Sequence, residues 1–456
     1  MLFNTLPFMI FFPVVTLVYY LLPYRWRWCW LLAASCFFYM WFKPVYILIL
    51  LTTIVIDYTA GLMIERSRGN PRRKKAWLVA SVASTLTVLF IFKYQGLFRE
   101  TNILLPIGLS FHTFQSLSYV IEVYRGNQRA EKHFGFYSLY VMFYPQLVTG
   151  PIERPQNLLR QLRVPQPFKG ENLARGVMLI LFGLFAKMVV ADNLAVYVDQ
   201  IYAHPEQYGT VGIGLGLIFY SFQIYCDFFG YSTIALGCAK AMGYDLMDNF
   251  RAPYLSRSIG EFWHRWHISL SSWFRDYLYI PLGGSRVRTV RWVMNIMVVF
   301  LLSGLWHGAD WTFMVWGGLH GVLLVAEGLP AKLKGRKRGQ PGTEALPLRL
   351  LRMAGVFVAV TLLWGLFRAE GFWQCREVMH ALCSNAQPGA MPAIDGVAVL
   401  FLALFVVADV LLRNTRFDHW CIRQPKAVQW AVCFLLAFCT VAFASVETFP
   451  FIYFQF

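Results

Sequence analysis

Trp311-Thr312-Phe313-Met314-Val315-Trp316-Gly317-Gly318-Leu319-His320-Gly321-Val322-Leu323-Leu324-Val325-Ala326-Glu327-Gly328 is the stretch that decides the fold. A run this apolar approaches the ~20 residues a helix needs to cross a hydrocarbon core of about 30 Å, so it reads as a membrane span. His320, the tenth residue of the run, then falls near mid-membrane. An ionisable side chain at that depth is costly, which makes His320 a functional candidate; the bland alternative is a histidine hydrogen-bonded between helices. Gly317, Gly318 and Gly321 surround it and leave room for another backbone or a ligand to approach.

The rest of the chain has the same character. Of its 456 residues 57% are hydrophobic and 14% charged, against roughly 45–50% and about 25% in ordinary globular domains. A soluble domain cannot hide that much apolar surface, and disorder, collagen and coiled coil are excluded by the lack of repeat and charge. Spans are expected near residues 5–22, 28–42, 45–64, 76–93, 104–124, 176–200, 209–229, 292–306, 311–328, 350–368, 394–412 and 427–447. The amino terminus lacks the basic start of a cleavable signal peptide, so the first stretch is expected as a retained span. Lys and Arg total 41 against 24 Asp and Glu, a net charge of +17. The excess sits in short loops: Glu65 to Lys75 holds six bases against one acid, and Lys332 to Arg338 five against none. That is the signature of cytoplasmic loops rather than of nucleic-acid binding. The loop from Ile201 to Gly209 has no Lys or Arg and is expected outside; Arg413 to Lys426, with four bases, is expected inside. Phe134–Pro151 and Ser258–Gly283 do not fit as plain spans and are expected as re-entrant or interfacial pieces. The fold class is therefore an all-α polytopic membrane protein with about 11–12 spans plus those pieces. We expect one integral membrane domain over 1–456, with N-terminal spans in 1–130, a core holding the re-entrant segments in 131–330 and C-terminal spans in 331–456. The nine cysteines lie mostly in apolar runs without Cys-x-x-Cys spacing, as small core residues rather than disulfides or metal ligands.

Polar intrusions mark where chemistry is expected. Glu261-Phe262-Trp263-His264-Arg265-Trp266-His267-Ile268-Ser269 packs two His, an Arg and two Trp together. At helical spacing His264 and His267 share a face, with Arg275 and Asp276 two to three turns on. An amphipathic interfacial helix would carry the same residues. His307, in the turn before the decisive span, reads equally as a cap or a site residue. Asp227, in Gln223-Ile224-Tyr225-Cys226-Asp227-Phe228, lies at the inner end of a span, where it orients a His or fixes the helix end. A nucleophile elbow, a phosphate loop and a zinc-binding His-Glu-x-x-His are missing, and Gly212, Gly214 and Gly216 are better read as helix packing. What remains is a His-bearing polar cavity in a multi-span protein. Neutral His, with a reference pKa of about 6.5, suits abstraction of a hydroxyl proton in acyl transfer.

Phe262-Trp263-His264-Arg265-Trp266-His267-Ile268-Ser269-Leu270-Ser271, followed by Trp273-Phe274-Arg275-Asp276-Tyr277-Leu278-Tyr279-Ile280-Pro281-Leu282-Gly283-Gly284, resembles the signature of the membrane-bound O-acyltransferases. Leu305-Trp306-His307-Gly308-Ala309 and Trp316-Gly317-Gly318-Leu319-His320-Gly321 look like the second block of the bacterial alginate O-acetylation branch. Phe143 to Ile152, Ser221 to Phe228 and the closing Phe451 to Phe456 extend the likeness over nearly the whole chain. His264, where relatives usually carry a basic residue, and the surroundings of Asp227 depart from the pattern.

The resemblance implies helices around a central funnel or tunnel, with His320 catalytic and His267 across the same cavity. His307, Asp227, Trp316, Arg275 and Asp276 would support that cavity, with no metal and no bound cofactor. It further implies a multi-pass protein of the bacterial inner membrane that takes acetyl from cytoplasmic acetyl-coenzyme A. The acceptor would be extracytoplasmic, through a periplasmic acetyltransferase or polysaccharide-export partner. Transfer of D-alanine from a carrier protein to a cell-wall polymer, and a non-catalytic transporter or export scaffold, are the alternatives.

Overall fold

The computed structural model describes residues 1–94, 106–334, 345–384, 394–445, 447 and 449–454. Regular structure among the described residues is helical, without a strand. Arg336, Lys337 and Arg338 of the basic loop, residues 104 and 105 of one expected span, and Gln455 and Phe456 lie outside them.

A helix stands at every expected span, and the helices differ in how readily length and composition alone let them cross a membrane. Among the described residues eight helices are long and apolar enough: Tyr46–Arg66, Pro71–Lys93, Gly170–Ala203, Thr210–Ala241, Thr289–His307, Trp311–Leu333, Leu346–Arg368 and Lys426–Phe443. Leu6–Leu21 and Gly396–Leu411 are apolar but shorter. Tyr24–Met40 carries Arg25 and Arg27, and Leu109–Arg125 is polar and buried, with Ser110, His112, Thr113, Gln115, Ser116 and Ser118 all inside. Tyr24–Met40, with its arginines, and Leu109–Arg125, with its buried polar residues, are set apart from those eight by composition, and the helical polytopic architecture is as expected.

One compact unit comprises Met1–Leu184, Tyr231–Asp248 and Phe417–Cys433. Buried Asp57 joins two of its helices, accepting hydrogen bonds from Ser81 Oγ at 2.6 Å and Thr85 Oγ1 at 3.1 Å. Asn70 caps the Pro71–Lys93 helix through Arg73 N–H, and Pro71 occupies the first turn, where its missing N–H costs nothing. The stretch expected to be re-entrant is two short helices, Phe134–Met142 and Tyr144–Leu147, neither able to cross a membrane. The break frees the Tyr140 carbonyl, which accepts from the side-chain amides of Gln115 and Gln146 at 2.5 and 2.8 Å.

The other unit comprises Phe185–Gly230, Asn249–Arg416 and Phe434–Phe456. In it Thr289–His307 packs closely against Trp311–Leu333. A Cβ on Gly317 would collide with the Phe300 carbonyl oxygen and fall 3.1 Å from Gly304 Cα, and one on Gly304 would collide with the Phe313 oxygen. The room beside Gly317 is therefore taken by the backbone of the neighbouring helix, and that beside Gly318 and Gly321 by its side chains. The other expected re-entrant stretch is broken as well: Ile259–Arg265, Ile268–Phe274, then a wider π turn over Arg275–Tyr279. Ser258 caps its start, accepting from Glu261 N–H at 3.0 Å.

Candidate active site

His320 sits in the Trp311–Leu333 helix with no solvent exposure. Its imidazole stacks on Phe262 (centroids 6.2 Å apart, planes 5°) and meets the edges or faces of Trp263 at 5.0 Å and Trp316 at 4.9 Å. Neither ring nitrogen has a hydrogen-bond partner among the described residues. The hydrogen bond that the bland alternative requires is not found among the described residues. An unsatisfied buried imidazole costs a few kcal/mol, which a purely structural position would avoid with Leu or Phe.

His267 arrives differently. The Ile259–Arg265 helix ends before it, and His267 adopts a left-handed backbone with φ 43°. A non-glycine residue there is strained by about 1 kcal/mol or more. The strain is held by Trp266 N–H on the Phe262 carbonyl (2.8 Å), Ile268 N–H on the Asn249 carbonyl (2.9 Å) and Ser269 Oγ–H on Asn249 Oδ1 (2.6 Å). The shared helical face expected for His264 and His267 is thereby corrected, because the kink separates them. His267 is buried against Phe228 (4.7 Å), whereas His264 is exposed and bonds its own Gly260 carbonyl.

Aromatic rings link the histidines. His267 contacts Trp306 (5.9 Å), Trp306 contacts His307 (5.0 Å), His307 contacts Trp316 (5.1 Å), and Trp316 contacts His320. His307 is the last residue of its helix and is buried, so it joins the ring line rather than serving an exposed end. Tyr453 packs on both His267 (6.4 Å) and His307 (5.5 Å). The line is buried, with ring spacings within those of favourable aromatic pairs.

Beside it opens a cavity of about 700 Å³, lined by Trp263, Phe300, His264, Arg275 and Lys332 among others. Trp263 thus touches both the cavity and His320. Arg275 reaches this cavity and also pairs with Asp276 at 2.8 Å. His320 is not exposed to it, so the expectation of an open space around His320 is corrected: Trp263 covers the ring.

Asp227 neither orients a histidine in the bonds it makes nor ends a helix, since the Thr210–Ala241 helix runs well past it. It pairs with Lys187 Nζ at 2.7 Å and accepts from Ile452 N–H at 2.8 Å. Lys187 also pairs with Asp192 at 2.6 Å and donates to the Phe449 carbonyl at 3.1 Å. Sequence reasoning missed this cluster because residues five apart do not face each other on an α-helix. Phe185–Ala191 is a π-helical turn, whose i to i+5 period brings Lys187 onto Asp192. A lysine inside an expected span was the available signal. Lys187→Met should cost about 3–5 kcal/mol by stranding two buried carboxylates. A thermal midpoint that falls sharply beside wild type checks this, and an unchanged midpoint contradicts it.

A family model described as MBOAT, membrane-bound O-acyltransferase family, matches residues 130–333, which hold His267, His307, His320 and Asp227. The chain is 36% identical to the "Probable alginate O-acetylase AlgI" of Pseudomonas aeruginosa over 452 residues, covering 92% of this chain and 82% of that protein. The chain belongs to the membrane-bound O-acyltransferase family. As such it is an O-acyltransferase and a multi-pass membrane protein. This acyltransferase is also 33% identical to the "Probable alginate O-acetylase AlgI" of Pseudomonas putida, over 98% of each chain. It is 34% identical to the "Peptidoglycan O-acetyltransferase" of Helicobacter pylori, over 65% of this chain and 63% of that protein.

Proposed function

We propose that this acyltransferase passes an acetyl group from cytoplasmic acetyl-coenzyme A across a bacterial inner membrane to an extracytoplasmic acceptor, for O-acetylation of an exopolysaccharide. The observation that carries the catalytic part is His320, buried without hydrogen-bond partners among the described residues in a membrane-length helix of an O-acyltransferase. End-to-end similarity to two proteins named as alginate O-acetylases supports acetyl as the group and an alginate-like polymer as its destination.

In this reading His320 is the general base. It takes the proton of the acceptor hydroxyl as that oxygen attacks the acetyl carbonyl carbon. The carbon–sulfur bond then breaks, and the proton goes to the departing coenzyme A thiolate. His267 supports the donor or the oxyanion that develops on the carbonyl. Trp316 and His307 hold His320 and His267 in one buried line, and Lys187 with Asp227 secures the segment bearing Tyr453. Arg275 and Lys332 on the cavity suit an anionic donor. Trp263 must move, or the donor must reach past it, before His320 meets substrate. The acceptor docks through a periplasmic acetyltransferase or export partner on the side where loops are poor in charge.

The test is release of free coenzyme A by the purified full chain given acetyl-coenzyme A and a hydroxyl acceptor. Acceptor-dependent thiol release is expected. Product formation only with a D-alanine-charged carrier protein, or with neither donor, would overturn the proposal.

A further inference from the structure

In the unit that does not hold the three histidines, residues between Glu65 and Arg163 enclose a groove of about 780 Å³. Its lining includes Arg68, Arg129, Lys132, Arg160 and Arg163 against two carboxylates, Glu65 and Glu131. Both carboxylates are already engaged. Arg68 pairs with Glu65 at 2.6 Å, and Arg163 forks onto both oxygens of Glu131, its Nε donating at 2.6 Å. Glu131 is buried and also accepts from His133 N–H at 2.7 Å, so it holds the Arg163 guanidinium in a fixed orientation. That pairing keeps Arg163 charged by raising its pKa further. Among the described residues no carboxylate pairs with Arg129, Lys132 or Arg160.

Three uncompensated cations around one concavity repel each other, and the potential between them attracts an anion. Guanidinium forks match the oxygens of a phosphate in pairs, while a lysine adds a point charge. Arg68 stands two residues beyond Tyr46–Arg66, a helix of membrane-crossing length, which is the depth of lipid headgroups. We propose that this groove binds a phosphate group, presented by an anionic phospholipid headgroup or by a soluble phosphorylated molecule. The inference stands apart from the acyl-transfer reading, since binding is measured without turnover.

The experiment uses the purified full chain in two arms. One titrates inorganic pyrophosphate in neutral detergent; the other compares thermal midpoints in phosphatidylglycerol and phosphatidylcholine nanodiscs. Each cation beside a phosphate contributes about fivefold in affinity, so the triple variant Arg129→Gln, Lys132→Gln, Arg160→Gln should weaken binding about 100-fold. These side chains are exposed, so the variant should fold; its midpoint without probe checks that. Arg66→Gln, Arg72→Gln, Arg73→Gln removes the same charge outside the groove and should change binding less than about threefold. Saturable pyrophosphate binding assigns a soluble phosphate, and a phosphatidylglycerol-specific rise in midpoint assigns a lipid. No saturable effect in either arm, or equal losses in the two triple variants, would overturn the proposal.

Discussion

His320→Ala should remove ~10²–10⁴-fold of acyl transfer, the usual contribution of a positioned general base, while the protein stays inserted and folded. Stability should hold because the substitution deletes a buried imidazole that has no hydrogen-bond partner among the described residues. The void it leaves is walled by Trp263, Trp316 and Phe262, which keep their contacts with one another. The readout is acetate content of the exported polymer, set beside membrane protein level and thermal midpoint. Normal acetylation in the variant, or acetylation lost only together with the protein, would defeat the catalytic assignment. His267→Gly is the informative companion, because glycine relieves the left-handed strain at φ 43° while removing the ring. It should lose transfer, with the relief of strain offsetting part of the packing lost against Phe228, Trp306 and Tyr453.

Gly317→Ala should do the reverse, destabilising by about 3 kcal/mol or more with no direct effect on the chemistry. The added methyl runs into the Phe300 carbonyl oxygen and meets Gly304 Cα at 3.1 Å, and backbone cannot swing aside. Gly318→Ala, one residue on, meets only Leu301 Cδ2 at 3.3 Å, a side-chain end that can give. Membrane level and thermal midpoint should therefore fall for Gly317→Ala and stay near wild type for Gly318→Ala. Equal midpoints would show that close approach of the two helices does not hold this unit together.

Spans were legible where a long apolar run forms one unbroken helix of membrane-crossing length, as at Trp311–Leu333 and Tyr46–Arg66. At Leu109–Arg125 apolarity is weaker, because hydroxyls and amides face the protein interior; composition alone does not say what surrounds a helix. The burial of His320 was legible because an apolar run carries the ionisable group in its middle inside with it. The rings that enclose it were not, since Trp263 and Phe262 lie more than fifty residues away in sequence.

By itself, then, the sequence determined that this chain is a helical multi-pass membrane protein, and its two histidine blocks carried the family resemblance. Both are properties of local composition and spacing, which survive without any knowledge of packing. Tertiary structure decided the rest. It set His267 on a left-handed backbone that separates it from His264, gave the glycine room beside His320 to a neighbouring helix, and closed Lys187 onto Asp192 and Asp227 through a π turn. Each of these depends on a departure from the regular 3.6-residue period or on partners distant in the chain, and a sequence pattern encodes neither.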